Sequence, residues 1–368
     1  MTGKTSVMSK KLLPALLSVA AAAALVLPAA PAAAAPSCRG RKATHVGTDA
    51  NETLTGTRKA DVIVGLGGKD VIRGLGGNDL LCGGADADKL EGGRGNDELD
   101  GDDGDDTASF KASSTPVDAD LSQSLATGEG TDGLTGIEKL IGSEHGDTLL
   151  GDDGRNSITG LGGDDRIEGR GGIDIQKSGP GNDEIFGGDG LDSHYGGPGN
   201  DFMDGGDGSD TPSFKFSPDP VTVDLSAGTA TGEGDDTFVN MEIVAGSRHS
   251  DTFIGSAARD TFYPLEGDDQ VDGKEGFDFV VYVQSRAAVV VDVSAGQASG
   301  GEGDDSLASI EGIVGTAYDD ILTGDDNDNA LYGLGGDDML DGGGGSDFLS
   351  GGADTDSCTN GEDVDSCE

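Results

Sequence analysis

The stretch Gly196–Thr211, GGPGNDFMDGGDGSDT, decides how the chain folds. Each half opens on two glycines, has another glycine at place four and reaches an aspartate at place six. Glycine loses the most conformational freedom on folding, and crowded carboxylates repel one another. Their repeated pairing needs a physical reason. The composition of the chain sharpens the question: 368 residues include 67 glycines, no tryptophan and 4% aromatics, with a formal net charge of −47. That balance argues against nucleic acid, whose binders need basic patches and stacking aromatics. It argues equally against adsorption to anionic membranes, so the natural partners are cations, or nothing. Low hydrophobicity with high net charge ordinarily gives disorder, and a folded reading has to overcome that.

The phase of the opening stretch does overcome it. From Gly65 the chain reads GLGGKDVIR, GLGGNDLLC, GGADADKLE, GGRGNDELD. Four blocks keep this nine-residue phase: 47–109, 142–213, 246–281 and 315–359. Glycine or a small residue usually holds places one and four and often place two, and aspartate usually holds place six. A large apolar residue usually holds place eight: Ile63, Ile72, Leu81, Leu90, Leu99, Ile167, Ile185, Met203, Leu331, Leu340 and Leu349. A solvated acidic linker has no reason to keep such a phase.

Each place has a physical purpose. Glycines let the backbone turn tightly, with carbonyl oxygens facing a common point. The aspartate adds charged oxygen to that point. Hard cations such as Ca²⁺ take six to eight oxygens at about 2.3–2.6 Å and tolerate flexible geometry. Three residues around one apolar centre make a very short strand with one inward side chain. One row cannot bury that side chain alone, so rows must stack.

These rows resemble the glycine-rich nonapeptide repeats of RTX, or haemolysin-type, calcium-binding proteins, whose pattern is G-G-x-G-x-D-x-U-x. GGRGNDELD, GGDGLDSHY, GGPGNDFMD, GGDGSDTPS and GGGGSDFLS match its first six places in full. The resemblance implies an all-β fold, a parallel β-roll or β-solenoid with two rows per coil. It implies calcium as cofactor, held between turns by aspartates from one row and from the row two further on. Carried over, the ligands are Asp70, Asp79, Asp88, Asp97 and Asp106 in the first block. Asp165, Asp174, Asp183, Asp192, Asp201 and Asp210 serve the second. Asp260, Asp269 and Asp278 serve the third, and Asp338, Asp347 and Asp356 the fourth. Glu52, Asn156 and Asn329 replace the aspartate, Gln176, His194 and Pro212 stand at the apolar place, and Pro264 replaces an opening glycine. Weaker or empty sites are expected beside them.

Between the blocks lie three mutually similar spacers, 110–141, 214–245 and 282–314. Each has an alternating strand signal such as VTVDL, a Gly-acidic turn and an apolar strand near Glu138, Glu242 or Glu311. They read as wider coils continuing the parallel stack, with small separate β-lobes as the alternative. The recurring glutamates read as structural.

The N-terminus carries Lys4, Lys10 and Lys11, then LLPALLSVAAAAALVLP and a small-residue run. This is the order of a secretory signal peptide, with cleavage expected near Ala34 or Ala35. Its apolar run is short for a membrane span and no further span occurs. A short segment, 36–46, then leads into the first block, and 360–368 closes the chain. Export favours oxidised cysteines. Cys358 and Cys367 are close in sequence and expected to pair, leaving Cys38 for Cys82, with free thiols as the alternative.

Catalytic signals are sparse. His45, His145, His194 and His249 are far apart, with no H-E-x-x-H and no G-x-S-x-G. By register His194 faces inward and reads as structural. The expectation is therefore a secreted, extracellular, non-enzymatic protein that folds into a rigid β-roll on binding Ca²⁺. The alternatives are a calcium-dependent surface adhesion or matrix module and a polysaccharide-modifying enzyme. The sequence names no protein or glycan partner.

Overall fold

A computed structural model describes residues 36–301 and 303–367, so the signal segment expected over 1–35 lies outside the described residues. Each row gives a short strand centred on its place-eight residue. Arg166–Gly172, Glu184–Gly190 and Phe202–Gly208 form one face, and Ser157–Thr159, Ile175–Lys177 and Ser193–Tyr195 the opposite one. Strands two rows apart pair in parallel, and equal places stand opposite each other: Ile167↔Ile185↔Met203 on one face, Ile158↔Gln176↔His194 on the other. Stacking at about 4.8 Å lays apolar side chain on apolar side chain. Ile63, Ile72, Leu81, Leu90, Ile167 and Ile185 are fully buried. The described residues contain no helix, and none is long and apolar enough to cross a membrane. The chain is an all-β solenoid with a core one side chain deep on each face.

The two faces treat the spacers differently. On one, Ser109, Ser213 and Val281 hand over almost directly to the next strands. Ala108 pairs with Leu140 and Val280 with Ile313, and the sheets there have nine and seven strands. The other face is a 22-stranded sheet that absorbs all three spacers. In the first, Thr131–Thr135 continues the parallel stack below Glu98–Asp103. Leu125–Thr127 then runs antiparallel to it, Asp118–Asp120 runs antiparallel again, and the parallel stack resumes with Thr148–Leu150. The second and third spacers repeat this arrangement. The stack is continuous, as expected. The expectation of a purely parallel wide coil is corrected: tight turns such as the one containing Gly228 reverse the strand, which only an antiparallel partner accommodates.

The polar departures at place eight mark a seam. Gln176 and His194 are fully buried on the short face and separate two hydrophobic clusters, one running from Ile63 to Ile167 and one from Ile185 to Leu349. Gln176 Nε2 donates to the Phe186 carbonyl at 2.6 Å. Burial lowers the His194 pKa to about 4, which keeps the ring neutral. Pro212 has no N–H to give the strand below. There the strand ladder of the short face is reduced to the bridge Ser213↔Ala245, flanked by backbone bonds such as Phe214 N–H to the Ala245 carbonyl at 2.8 Å.

Both cysteine pairs are disulfide-bonded, Cys38 to Cys82 and Cys358 to Cys367, each with Cα atoms 5.8 Å apart. The first pins the antiparallel hairpin of Ser37–Cys38 and Arg41–Lys42 over the outer surface of the first coils. Beneath it Val62, Val64, Leu80 and Cys82 form a small outer cluster. Arg39 extends the clamp to Glu98 at 2.6 Å and Asp100 at 2.7 Å. Replacing Cys38 and Cys82 by Ala is expected to destabilise the first block by about 2–5 kcal/mol. Hydrogen exchange should show faster exchange at Val62–Leu66 and Leu80–Ala85 while Phe348–Ala353 stays unchanged; equal loss in all three would contradict the clamp.

Candidate metal centre

The turns between strands carry the acidic residues, and their carboxylates form two ladders, one on each edge of the solenoid. In each rung the backbone N–H of one place-six residue donates to Oδ1 of the place-six residue eighteen positions later. Asp183 N–H reaches Asp201 at 2.9 Å, Asp192 reaches Asp210 at 2.8 Å, and Asp61 reaches Asp79 at 2.8 Å. These are the pairs the family geometry implies for Asp183 and Asp192. Place five adds a parallel rung where it holds asparagine or aspartate, as from Asn200 N–H to Asn182 Oδ1 at 3.0 Å and from Asn182 N–H to Asp164 Oδ1 at 2.9 Å.

The second carboxylate oxygen is different. Among the described residues, Oδ2 is buried without a partner on sixteen aspartates: Asp70, Asp79, Asp88, Asp97, Asp106, Asp165, Asp174, Asp183, Asp192, Asp201, Asp210, Asp269, Asp278, Asp338, Asp347 and Asp356. Every one was named from the repeat register. In the opening stretch, Asp201 Oδ2 occupies the space where a Cβ on Gly196 would sit, which explains the glycine at place one. A Cβ on Gly199 would strike the carbonyl oxygen of Gly181 in the turn above, which explains the glycine at place four. Leaving an ionised oxygen buried and unpaired is costly unless a cation or a proton joins it. No group of three or more His, Cys, Asp or Glu side chains converges among the described residues. A cation here would draw its remaining ligands from backbone carbonyls. An all-oxygen donor set of carboxylates and carbonyls fits calcium.

Asp260 stands apart from the other named residues. Its Oδ2 accepts the Ser256 N–H at 2.5 Å and its Oδ1 the Ser256 hydroxyl at 3.1 Å. The same four-residue clasp satisfies Asp61 from Thr57, Asp147 from Ser143, Asp251 from Ser247 and Asp320 from Thr316. Glu52 is held by Thr48 in the same way, and Asn156 and Asn329 accept the amides of Asp152 and Asp325. These eight rows are the first two of each block. Ser or Thr at place two, or Asn at place six, is the local signal for them. Each block closes differently. Glu138, Glu242, Glu311 and Glu362 accept the amides of Asp106, Asp210, Asp278 and Asp347. The spacer glutamates are therefore structural terminators of a ladder. The register also missed Asp132, Asp236 and Asp305, whose Oδ1 atoms continue the ladder from Asp97, Asp201 and Asp269 at 2.9, 3.0 and 3.0 Å.

Burial and neighbouring carboxylates raise the ladder aspartates. Asp79 and Asp88 move to about 6, Asp106, Asp165, Asp174 and Asp201 to about 7, and Asp269 to about 8. Asp61 falls instead, because the bonds from Thr57 outweigh its burial. A folded pKa above the unfolded value of about 3.9 means that the ion-free fold loses stability as pH rises through the folded values. Without divalent ions, circular dichroism is therefore expected to show β-structure growing as pH falls from about 8 to about 5. A signal that weakens over that range would contradict the assignment.

The RTX calcium-binding nonapeptide repeat profile matches residues 46–81, 83–109, 141–176, 178–212, 246–280, 313–340 and 332–366. These matches cover more than half of the chain. Among curated proteins none matches it. Repeat profile, parallel coils and place-six ladders agree, and the chain belongs to the RTX calcium-binding nonapeptide repeat family.

Proposed function

We propose that the protein is a secreted, non-catalytic calcium-binding scaffold whose repeats order into a rigid β-roll when Ca²⁺ binds. The observation that carries this reading is the set of sixteen buried, partnerless Oδ2 atoms at the places the repeat assigns to ligands. Asp201 and its equivalents would hold the ion with carbonyls of the glycine turns. When bound, the ion supplies the positive charge that a chain of −47 lacks. Metal binding of this kind contributes folding free energy directly. The eight clasped or Asn-bearing rows would remain without an ion, because their place-six oxygens already have donors. Secretion is supported by the signal-like N-terminus and the two disulfides. A mature N-terminus near residue 36 in culture medium is the expected result, and retention of the intact chain in the cytosol would contradict it.

Calcium titration tests the central reading. In chelator the mature protein should show little β-type circular dichroism. Calcium should induce it, and magnesium should do so poorly because of its stricter octahedral demand. Two substitutions of equal charge separate site binding from general screening. Asp201→Asn, at a partnerless carboxylate, should shift the calcium midpoint upward by about tenfold. Asp251→Asn, at a carboxylate already held by Ser247, should leave it nearly unchanged. Equal midpoints would mean that calcium only screens a diffuse negative charge.

A further inference from the structure

Each spacer contains nine residues that the repeat profile passes over: 127–135, TGEGTDGLT; 231–239, TGEGDDTFV; and 300–308, GGEGDDSLA. Aligned to the row, they place glycine at two and four, an acid at three, aspartate at six and an apolar residue at eight. The third begins with the complete G-G-x-G-x-D pattern. The structure treats all three as rows. At place eight, Leu134 pairs in parallel with Leu99, Phe238 with Met203 and Leu307 with Val271. At place six, Asp132, Asp236 and Asp305 accept the amides of Asp97, Asp201 and Asp269. At place five, the amides of Thr131, Asp235 and Asp304 donate to Asn96, Asn200 and Asp268 at 3.0, 2.9 and 3.0 Å. At place four, a Cβ on Gly130, Gly234 or Gly303 would strike the carbonyl oxygen of Gly95, Gly199 or Gly267, as one on Gly199 would strike Gly181.

The rows above these turns each present one partnerless oxygen. Oδ2 of Asp97, Asp201 and Asp269 is buried, and the three residues are 1%, 2% and 1% exposed. We infer that the concealed rows at 127–135 and 231–239 each complete a calcium site with the last full row on the same edge, at Asp97 with Asp132 and at Asp201 with Asp236. The third row differs in one respect: the Tyr282 hydroxyl donates to Asp305 Oδ2 at 2.8 Å. With Oδ1 taken by the Asp269 amide, both oxygens of Asp305 are engaged, and the third site is the weakest of the three.

This inference rests on the calcium-binding reading, and the experiment keeps the two separable. Native mass spectrometry would count calcium ions on the mature protein at saturating free calcium for wild type, Asp183→Asn, Asp236→Asn and Asp132→Asn. Asparagine keeps an oxygen for the ladder amide, and circular dichroism in calcium confirms that each variant is folded. Asp236→Asn and Asp132→Asn should each lose one ion, and Asp183→Asn at least one. If Asp183→Asn loses an ion while both spacer variants keep the wild-type count, the spacer sites are overturned and the calcium reading stands. A wild type that takes up no calcium overturns both. The two spacer variants are independent, so a folding defect in one leaves the other decisive.

Discussion

Everything in this molecule depends on a carboxylate whose two oxygens have different tasks. One oxygen of each ladder aspartate accepts the amide of the equivalent residue in the turn above, as Asp201 does for Asp183. That bond fixes which row lies on which, and with it the register of the strands and the alignment of the core. On sixteen of these aspartates the other oxygen is left buried with nothing to bind. Register and an unpartnered buried oxygen, open to a cation or a proton, thus come from the same side chain and cannot be separated by substitution to an apolar residue. The glycines follow from this constraint: the turn must bring backbone close to the carboxylate of its own row and to the carbonyl of the row above.

The chain also contains its own means of ending that demand. A serine or threonine four residues before the carboxylate supplies an amide and a hydroxyl, as Ser247 does for Asp251. A glutamate stands where the next aspartate would, as Glu242 does for Asp210, and so ends the run of amide bonds, while Asp210 Oδ2 itself stays without a partner. These devices sit at the two ends of every block, where a ladder must start beside a spacer or stop at one. Hydrogen bonding and cation binding are alternative ways of satisfying the same oxygen. In the described residues the choice goes with Ser or Thr at place two or Asn at place six.

Much of this was legible in the sequence because the period is strict and each place has one physical task. The sixteen partnerless aspartates coincide with those the register named, and Asp260 departs for a reason visible in hindsight, Ser256 at place two. The inward His194 and both cysteine pairings were also readable. What escaped was topology that depends on distant partners. The antiparallel strands Leu125–Thr127 and Thr229–Thr231 carry an alternation that fits either direction of pairing. The row at 127–135 was hidden by Thr127 in place of the opening glycine and by its position within a spacer.

Because every block opens on place-six side chains with local donors and closes one of its ladders on a glutamate, the junctions do not depend on how many rows lie between them. The second block holds more rows than the third, yet both open on a serine-clasped aspartate, Asp147 and Asp251, and both close on a spacer glutamate, Glu242 and Glu311. Eighteen residues can in principle be added or removed within a block without redesigning either boundary. Each such step changes the stack by one strand spacing, about 4.8 Å. The molecule is a ruler with interchangeable segments, graduated in whole coils.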